Sequence, residues 1–203
     1  MIKTALYSKV CGYDFEKLFK SKGYAYFTNG EYNLNIIGIR AAGVNITNSF
    51  DDILVVIYKT PTGKWTRQLY SITTDPGRYY VINPATRKGT AILVPGQYRG
   101  AYKIDRHRGK YEALCQKKPI KVYRDNNKDE IYDYDPKTLE EGLFGINIHK
   151  AGRLSTRVDT WSAGCQVFAK DEDFKLFMAF CKKQAALYGN SFTYTLLKEE
   201  DLI

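Results

Sequence analysis

Apolar positions along this chain come in short runs broken by turn residues, a rhythm that predicts a succession of brief strands. Asn33 to Arg40 reads as a strand with Ile36, Ile37 and Ile39 toward a core, and Ile53 to Lys59 as a second, rich in Val and Ile. Pro61-Thr62-Gly63-Lys64 turns into a hairpin partner over Trp65 to Ile72, and Asp75-Pro76-Gly77 breaks the chain again. Tyr79 to Asn83, Thr90 to Val94, Pro119 to Arg124 and Glu130 to Tyr134 read as further strands. Gln97 to Asp105 and Lys110 to Cys115 form a hairpin around His107-Arg108-Gly109. Gly145 to His149, Val167 to Ala169 and Phe192 to Leu197 complete the set, with a polar loop over Gly152 to Thr160.

A helical period shows in two places. Leu6, Val10, Phe15, Leu18 and Phe19 fit one short amphipathic helix over Tyr7 to Lys20, stopped by Gly23. Phe174, Leu176, Phe177, Phe180, Cys181 and Ala185 make a broad stripe on a helix from Asp171, its expected cap, to Tyr188, ended by Gly189-Asn190. Strands at regular spacing with a helix near each end predict an α+β domain, mainly antiparallel β. The strand-rich region starts after Gly30, so residues 1–30 read as an N-terminal helical appendage and 31–203 as the main domain.

A chain of 203 residues suits one ordinary domain. No apolar run nears the roughly 18 residues of a membrane span, and Met1 to Phe19 shows no continuous apolar signal region. The expectation is cytoplasmic synthesis with no membrane partner. The net charge of +9 favours a polyanionic neighbour. The basic residues are scattered, without a long Lys/Arg block or a nucleic-acid-binding signature, so an anionic cell wall is preferred to nucleic acid. Cys11, Cys115, Cys165 and Cys181 form no CxxC pair and no metal-ligand spacing; reduced thiols and no metal or other cofactor are expected. Cys181 reads as a buried helix residue and Cys115 as a strand residue.

The candidate chemistry lies in Gly145-Ile146-Asn147-Ile148-His149 and Trp161-Ser162-Ala163-Gly164-Cys165-Gln166. On an alternating strand, Ile146 and Ile148 share one face and Asn147 and His149 the other. A catalytic thiol needs a base, because the thiolate is the nucleophile; Cys165 is assigned as nucleophile and His149 as its base. Backbone N–H groups at Gly164 and Cys165 are candidate oxyanion donors, and Ser162 would shape their loop. Asn147, Arg153, Arg157, Trp161 and Gln166 form the candidate substrate-binding group, the two arginines as bidentate partners for carboxylates. His107 reads as a surface histidine in a basic turn, and is the alternative base. Arg40 is set to hold a structural carboxylate. An active Cys165 is expected to hold a thiolate well below pH 8.

These residues resemble the signature of the L,D-transpeptidase catalytic domain, the YkuD-like family: a histidine, a spacer, then Ser/Thr-His-Gly-Cys. Val94-Pro95-Gly96-Gln97-Tyr98 is similar to that family's Thr-Pro-x-Gly-x-Tyr/Phe segment, which adds Tyr98 to the cleft. The resemblance covers roughly Thr90 to Ala169. Within it, twelve residues (150 to 161) separate His149 from Ser162, and Ala163 stands where the family has a second histidine. The resemblance implies a β-sandwich and a Cys165 thioester formed from a peptidoglycan stem peptide, then passed to an amine or to water. The two motifs also look like sequences from bacteriophages and their hosts, which implies action at the wall after lysis or as a virion component. The alternative, motivated by Ala163 and the short spacer, is a non-enzymatic wall-binding or phage particle structural protein with a degenerate site.

Overall fold

The structure, a computed structural model, describes residues 4–153 and 155–202. Leu154, inside the loop read over Gly152 to Thr160, and the first three residues of the 1–30 segment lie outside them. Eight strands close into a barrel. Its order is β1 (Asn35–Arg40), β11 (Phe192–Lys198), β5 (Gly96–His107), β6 (Tyr111–Gln116), β9 (Ile148–Lys150), β10 (Gln166–Phe168), β3 (Trp65–Thr73) and β2 (Asp52–Lys59), which returns to β1.

This closed barrel corrects the expected antiparallel β-sandwich. Strand β1 pairs in parallel with β11, Ile36 opposite Tyr194, and β9 pairs in parallel with β10. The β1–β11 pairing joins distant parts of the chain and removes the open edges a sandwich would keep. Strands β4 (Thr90–Leu93), β7 (Ile120–Asp125) and β8 (Glu140–Gly142) form a separate antiparallel sheet. Its Ala91, Leu93, Ile120 and Val122 pack on the barrel's own core.

The unbroken apolar runs of β1 and β2 are explained by burial on both faces. Ile36, Leu54, Val56 and Tyr58 belong to the barrel core. Ile37, Ile39, Ile53, Val55 and Ile57 pack in a second cluster with Leu6 and Val10 of α1 (Thr4–Cys11) and Phe15 and Phe19 of α2 (Phe15–Ser21). The single helix expected there is two, because Asp14 caps α2, its side chain accepting from Lys17 N at 3.0 Å. The segment read as an appendage therefore shares a core with β1, β2 and Leu197. Inside the barrel, Gly38 makes room for Tyr194: a Cβ at Gly38 would stand 1.8 Å from the tyrosine hydroxyl.

Two more expectations are corrected. Tyr79 to Asn83 is not a strand but lies over α3 (Arg78–Ile82), where Tyr80 N and Val81 N both donate to Gly77 O. Glu130 to Tyr134 forms no ladder; a single bridge joins Asn45 and Ile131. Helix α4 (Asp171–Tyr188) has the span read from its stripe, and buries Phe174, Phe177, Met178 and Cys181 in the barrel core. Its N-cap is Lys170 rather than Asp171, which pairs with Lys150 and Lys175 from the first turn. Among the described residues no helix is long and apolar enough to cross a membrane.

Candidate functional site

The parallel register of β9 and β10 assembles the site. Gln166 lies opposite Ile148, and Val167 opposite His149. Ile146 and Ile148 belong to the barrel core, so Asn147 and His149 occupy the other face of their strand. Cys165, alternating with Gln166, comes to that face as well. Asn147 N donates to Cys165 Sγ at 3.4 Å, and the thiol donates to Gly145 O at 3.5 Å.

The loop before the cysteine is locked from within. Ser162 is fully buried; its Oγ donates to Cys165 O at 2.8 Å and accepts from Gly164 N at 3.2 Å. Gly164 has φ +119°, and a Cβ there would meet Ala91 O at 2.3 Å, so only glycine fits. The Gly164 N–H is thus already committed to Ser162. Among the described residues the Cys165 N–H has no partner, which leaves it as the backbone donor able to meet a developing oxyanion.

His107, read as a surface histidine, is buried at 7% exposure, and its ring stacks on His149 with centroids 4.2 Å apart. Strand β5 runs on to His107 and carries it over β9. Asn147 ties the two strands together: its Oδ1 accepts from Gln116 N at 2.9 Å, so its Nδ2 is the atom facing His107 Nδ1, at 3.0 Å. A side-chain amide nitrogen only donates, so His107 Nδ1 accepts and its proton sits on Nε2. His149 has the opposite tautomer. Its Nδ1 lies 2.9 Å from Lys150 O, which only accepts, so Nδ1 carries the proton and the Nε2 lone pair is free. One imidazole offers a base and its neighbour a donor. The Tyr111 hydroxyl stands 3.4 Å from His149 Nδ1.

Burial governs the protonation of the group. It pushes His149 down to about 3, with the His107 ring adding to the effect and the Lys150 carbonyl opposing it. Burial likewise lowers His107. Burial pushes the Cys165 thiol up to about 11, against the Asn147 N–H and the Arg108 charge, which favour the thiolate. The expected thiolate below pH 8 is therefore not the resting state: at neutral pH both Cys165 and His149 are uncharged. No hydrogen bond joins Cys165 Sγ to either imidazole among the described residues, so a reacting thiol must first swing toward His149 Nε2.

The other expected site residues are distributed differently. Gln166 has no exposed surface; it points into the barrel, accepting from Tyr194 OH at 2.7 Å and donating to Thr74 O and Gly164 O, both at 3.3 Å. It supports the cysteine loop from behind and lines no cleft. Tyr98 turns its hydroxyl to Val94 O at 2.5 Å and Lys121 O at 3.3 Å, away from the thiol. Trp161 is 42% exposed and lies over Gly152. Arg153 and Arg157 are exposed in the same loop. Asn147 is a positioning residue at the centre of the group. His107, Tyr111 and Arg108 complete the surroundings; the alternation of Tyr102 and Ile104 with Lys103 and Asp105 was the one sequence signal placing His107 at the end of a continuing strand.

Among the described residues no group of three or more His, Cys, Asp or Glu could hold a metal ion. Comparison with protein-family models, with curated proteins and with solved structures found no match to this chain.

Proposed function

We propose that this protein is a cysteine-nucleophile enzyme that modifies peptidoglycan, transferring an acyl group from a wall stem peptide to an amine or to water through a thioester on Cys165. The observation that carries the reading is that the β9–β10 pairing brings Cys165 to the same face as His149, a histidine with a free Nε2 lone pair, on which His107 from the end of β5, with a free Nε2–H, is stacked. With both partners neutral at rest, the chemistry is concerted general-base attack rather than reaction of a preformed ion pair. The thiol proton passes to His149 Nε2 as Sγ bonds to the carbonyl carbon. The Cys165 N–H, with the His107 Nε2–H, donates to the oxyanion. His149 then protonates the departing amine as the C–N bond breaks. An incoming amine or water, deprotonated by His149, displaces the sulfur, and His149 returns the proton to it. Asn147 orients His107, and the Lys150 carbonyl orients His149, as a third group does in other nucleophile–base pairs.

The wall substrate is inferred from the motif resemblance and from the +9 charge, which suits an anionic envelope; the protein would reach it after lysis or as part of a virion. The second reading, a wall-binding or particle protein without turnover, is favoured by the protonated thiol and its distance from hydrogen-bond contact with His149. Digestion of purified peptidoglycan by the wild type and by Cys165→Ala separates the two. New muropeptides present only with the wild type are expected, their masses distinguishing transfer from hydrolysis. An untouched wall in both reactions gives the second reading the lead.

A further inference from the structure

The N-terminal segment does more than cover β1 and β2. Between the connection from α1 to α2 and the β2–β3 hairpin lies a groove of about 330 Å³. It is lined by buried Phe15 and Ile57, by Tyr13 and Glu16 from the helical side, and by Tyr26 and Trp65. The Tyr26 and Trp65 rings lie 6.0 Å apart with 35° between their planes, and Trp65 is 40% exposed, so the pair offers an aromatic surface to solvent. Phe19 packs edge-on against Tyr26 at 5.4 Å. Arg67 holds the groove in shape. Its guanidinium donates to Val10 O at 2.6 Å and to Cys11 O and Tyr13 O at 2.7 Å, which ties the helical connection to β3.

The charges at this groove balance. Asp14 and Glu16 line it together with Arg67, and Lys59 Nζ lies 5.1 Å from the centre of the Trp65 ring. Two acids and two bases favour neither an anion nor a cation. Hydrogen-bonding capacity remains, because Glu16 is exposed and its side chain has no ion pair or hydrogen bond among the described residues. Aromatic surface with a few polar groups and no net charge suits a neutral ligand that has an apolar face and many hydroxyls. A sugar ring is such a ligand: the C–H groups of one face meet the electron-rich face of an aromatic ring, and its hydroxyls donate to carboxylates.

We propose that this groove is a saccharide-binding subsite, with a sugar ring seated on Tyr26 and Trp65, and that its ligand is the glycan strand of the wall; the identity of the glycan rests on the acyl-transfer reading above. Trp65 begins β3, whose end at Thr73 pairs with Val167, two residues beyond Cys165. Groove and thiol therefore stand near opposite ends of one strand, about 25 Å apart. A polymer can occupy both, the sugar chain held at one end while a stem peptide is presented at the other.

The test is isothermal titration calorimetry of the full chain with chitotetraose, a soluble tetramer of N-acetylglucosamine, and in parallel with cellotetraose, which lacks the acetamido groups of the wall sugars. The expected result is saturable binding of chitotetraose that weakens about tenfold in Trp65→Ala and is largely kept in Trp65→Phe, which retains a ring. Glu16→Gln, an exposed change that leaves the packing intact, is expected to weaken it about fivefold. No binding at up to about 10 mM chitotetraose, or equal affinity in the wild type, Trp65→Ala and Glu16→Gln, overturns the subsite. Equal or tighter binding of cellotetraose overturns its assignment to the wall glycan. The readout needs no thiol chemistry: binding without an acyl adduct on Cys165 leaves the subsite standing and removes the enzyme, whereas an adduct without binding does the reverse.

Discussion

His149→Asn is expected to lower turnover of a wall substrate by about 10³-fold, within the range that a positioned general base contributes. Asparagine is the informative replacement. Its amide nitrogen can keep the hydrogen bond that His149 Nδ1 gives to Lys150 O at 2.9 Å, while nothing replaces the Nε2 lone pair. The loss should fall on kcat with little change in KM, because a base acts in the transition state and not in substrate binding. The wild-type pH profile carries the same claim. His149 accepts the proton only when neutral, and burial has pushed it down to about 3, so it stays neutral at all pH values above that. The thiol remains protonated up to about 11. The kcat profile should therefore be flat across the range where an ordinary imidazole, near 6.5, would impose an acid limb. Retention of more than about a tenth of the activity by His149→Asn, or an acid limb close to 6.5 in the wild type, would remove His149 from the role.

Arg40→Met is expected to destabilise the fold by about 3–5 kcal/mol, the cost of breaking a buried ion pair by removing one partner. Arg40 is 3% exposed. Its Nε lies 2.8 Å from Asp75 Oδ1 and 3.1 Å from Thr74 Oγ1, and its two terminal nitrogens donate to Leu93 O at 3.1 Å and Thr74 O at 3.0 Å. Asp75 is the structural carboxylate expected for Arg40, and without the guanidinium it is left charged in the interior beside Asp52, itself pushed up to about 7 by burial and by the Asp75 and Asp51 charges. For a chain of this size the loss corresponds to roughly 10–15 °C in Tm. The pair also underlies the site: Thr74 O accepts from Gln166 Nε2, and the strand of Leu93 supplies the Ala91 carbonyl against Gly164. In a double-mutant cycle, Asp75→Asn added to Arg40→Met should recover a substantial part of the loss. A change below about 1 kcal/mol for Arg40→Met alone would show that the pair holds nothing.

Period-two alternation made half of the site legible. It put Ile146 and Ile148 on one face and Asn147 and His149 on the other from the order of five residues. Applied equally to Cys165 and Gln166, it would have turned Gln166 inward, since neighbours on a strand cannot share a face. What the local pattern does not contain is register. Cys165 meets Asn147 because β10 lies parallel to β9 with Gln166 opposite Ile148, and His107 meets His149 because β5 and β6 are paired out to the His107–Tyr111 step. Both depend on pairings between segments far apart in the chain. Barrel closure is the extreme case: Ile36 pairs with Tyr194, and strands of this composition would serve a sandwich as well. The short α3 was misread for a different reason. Tyr-Tyr-Val-Ile favours a strand by composition, and the bonds to Gly77 O at its start and from Asn83 N to Tyr79 O at its end close it into a helix instead.

The most direct measurement is the intact mass of the protein during reaction with a soluble tetrapeptide stem, quenched in acid and mapped by peptide mass spectrometry. The account predicts a covalent acyl adduct on Cys165, labile to hydroxylamine as a thioester is, that disappears when an amine acceptor is added and does not form in Cys165→Ala. An unmodified Cys165 throughout, in a reaction where stem peptide is nonetheless consumed, would contradict it.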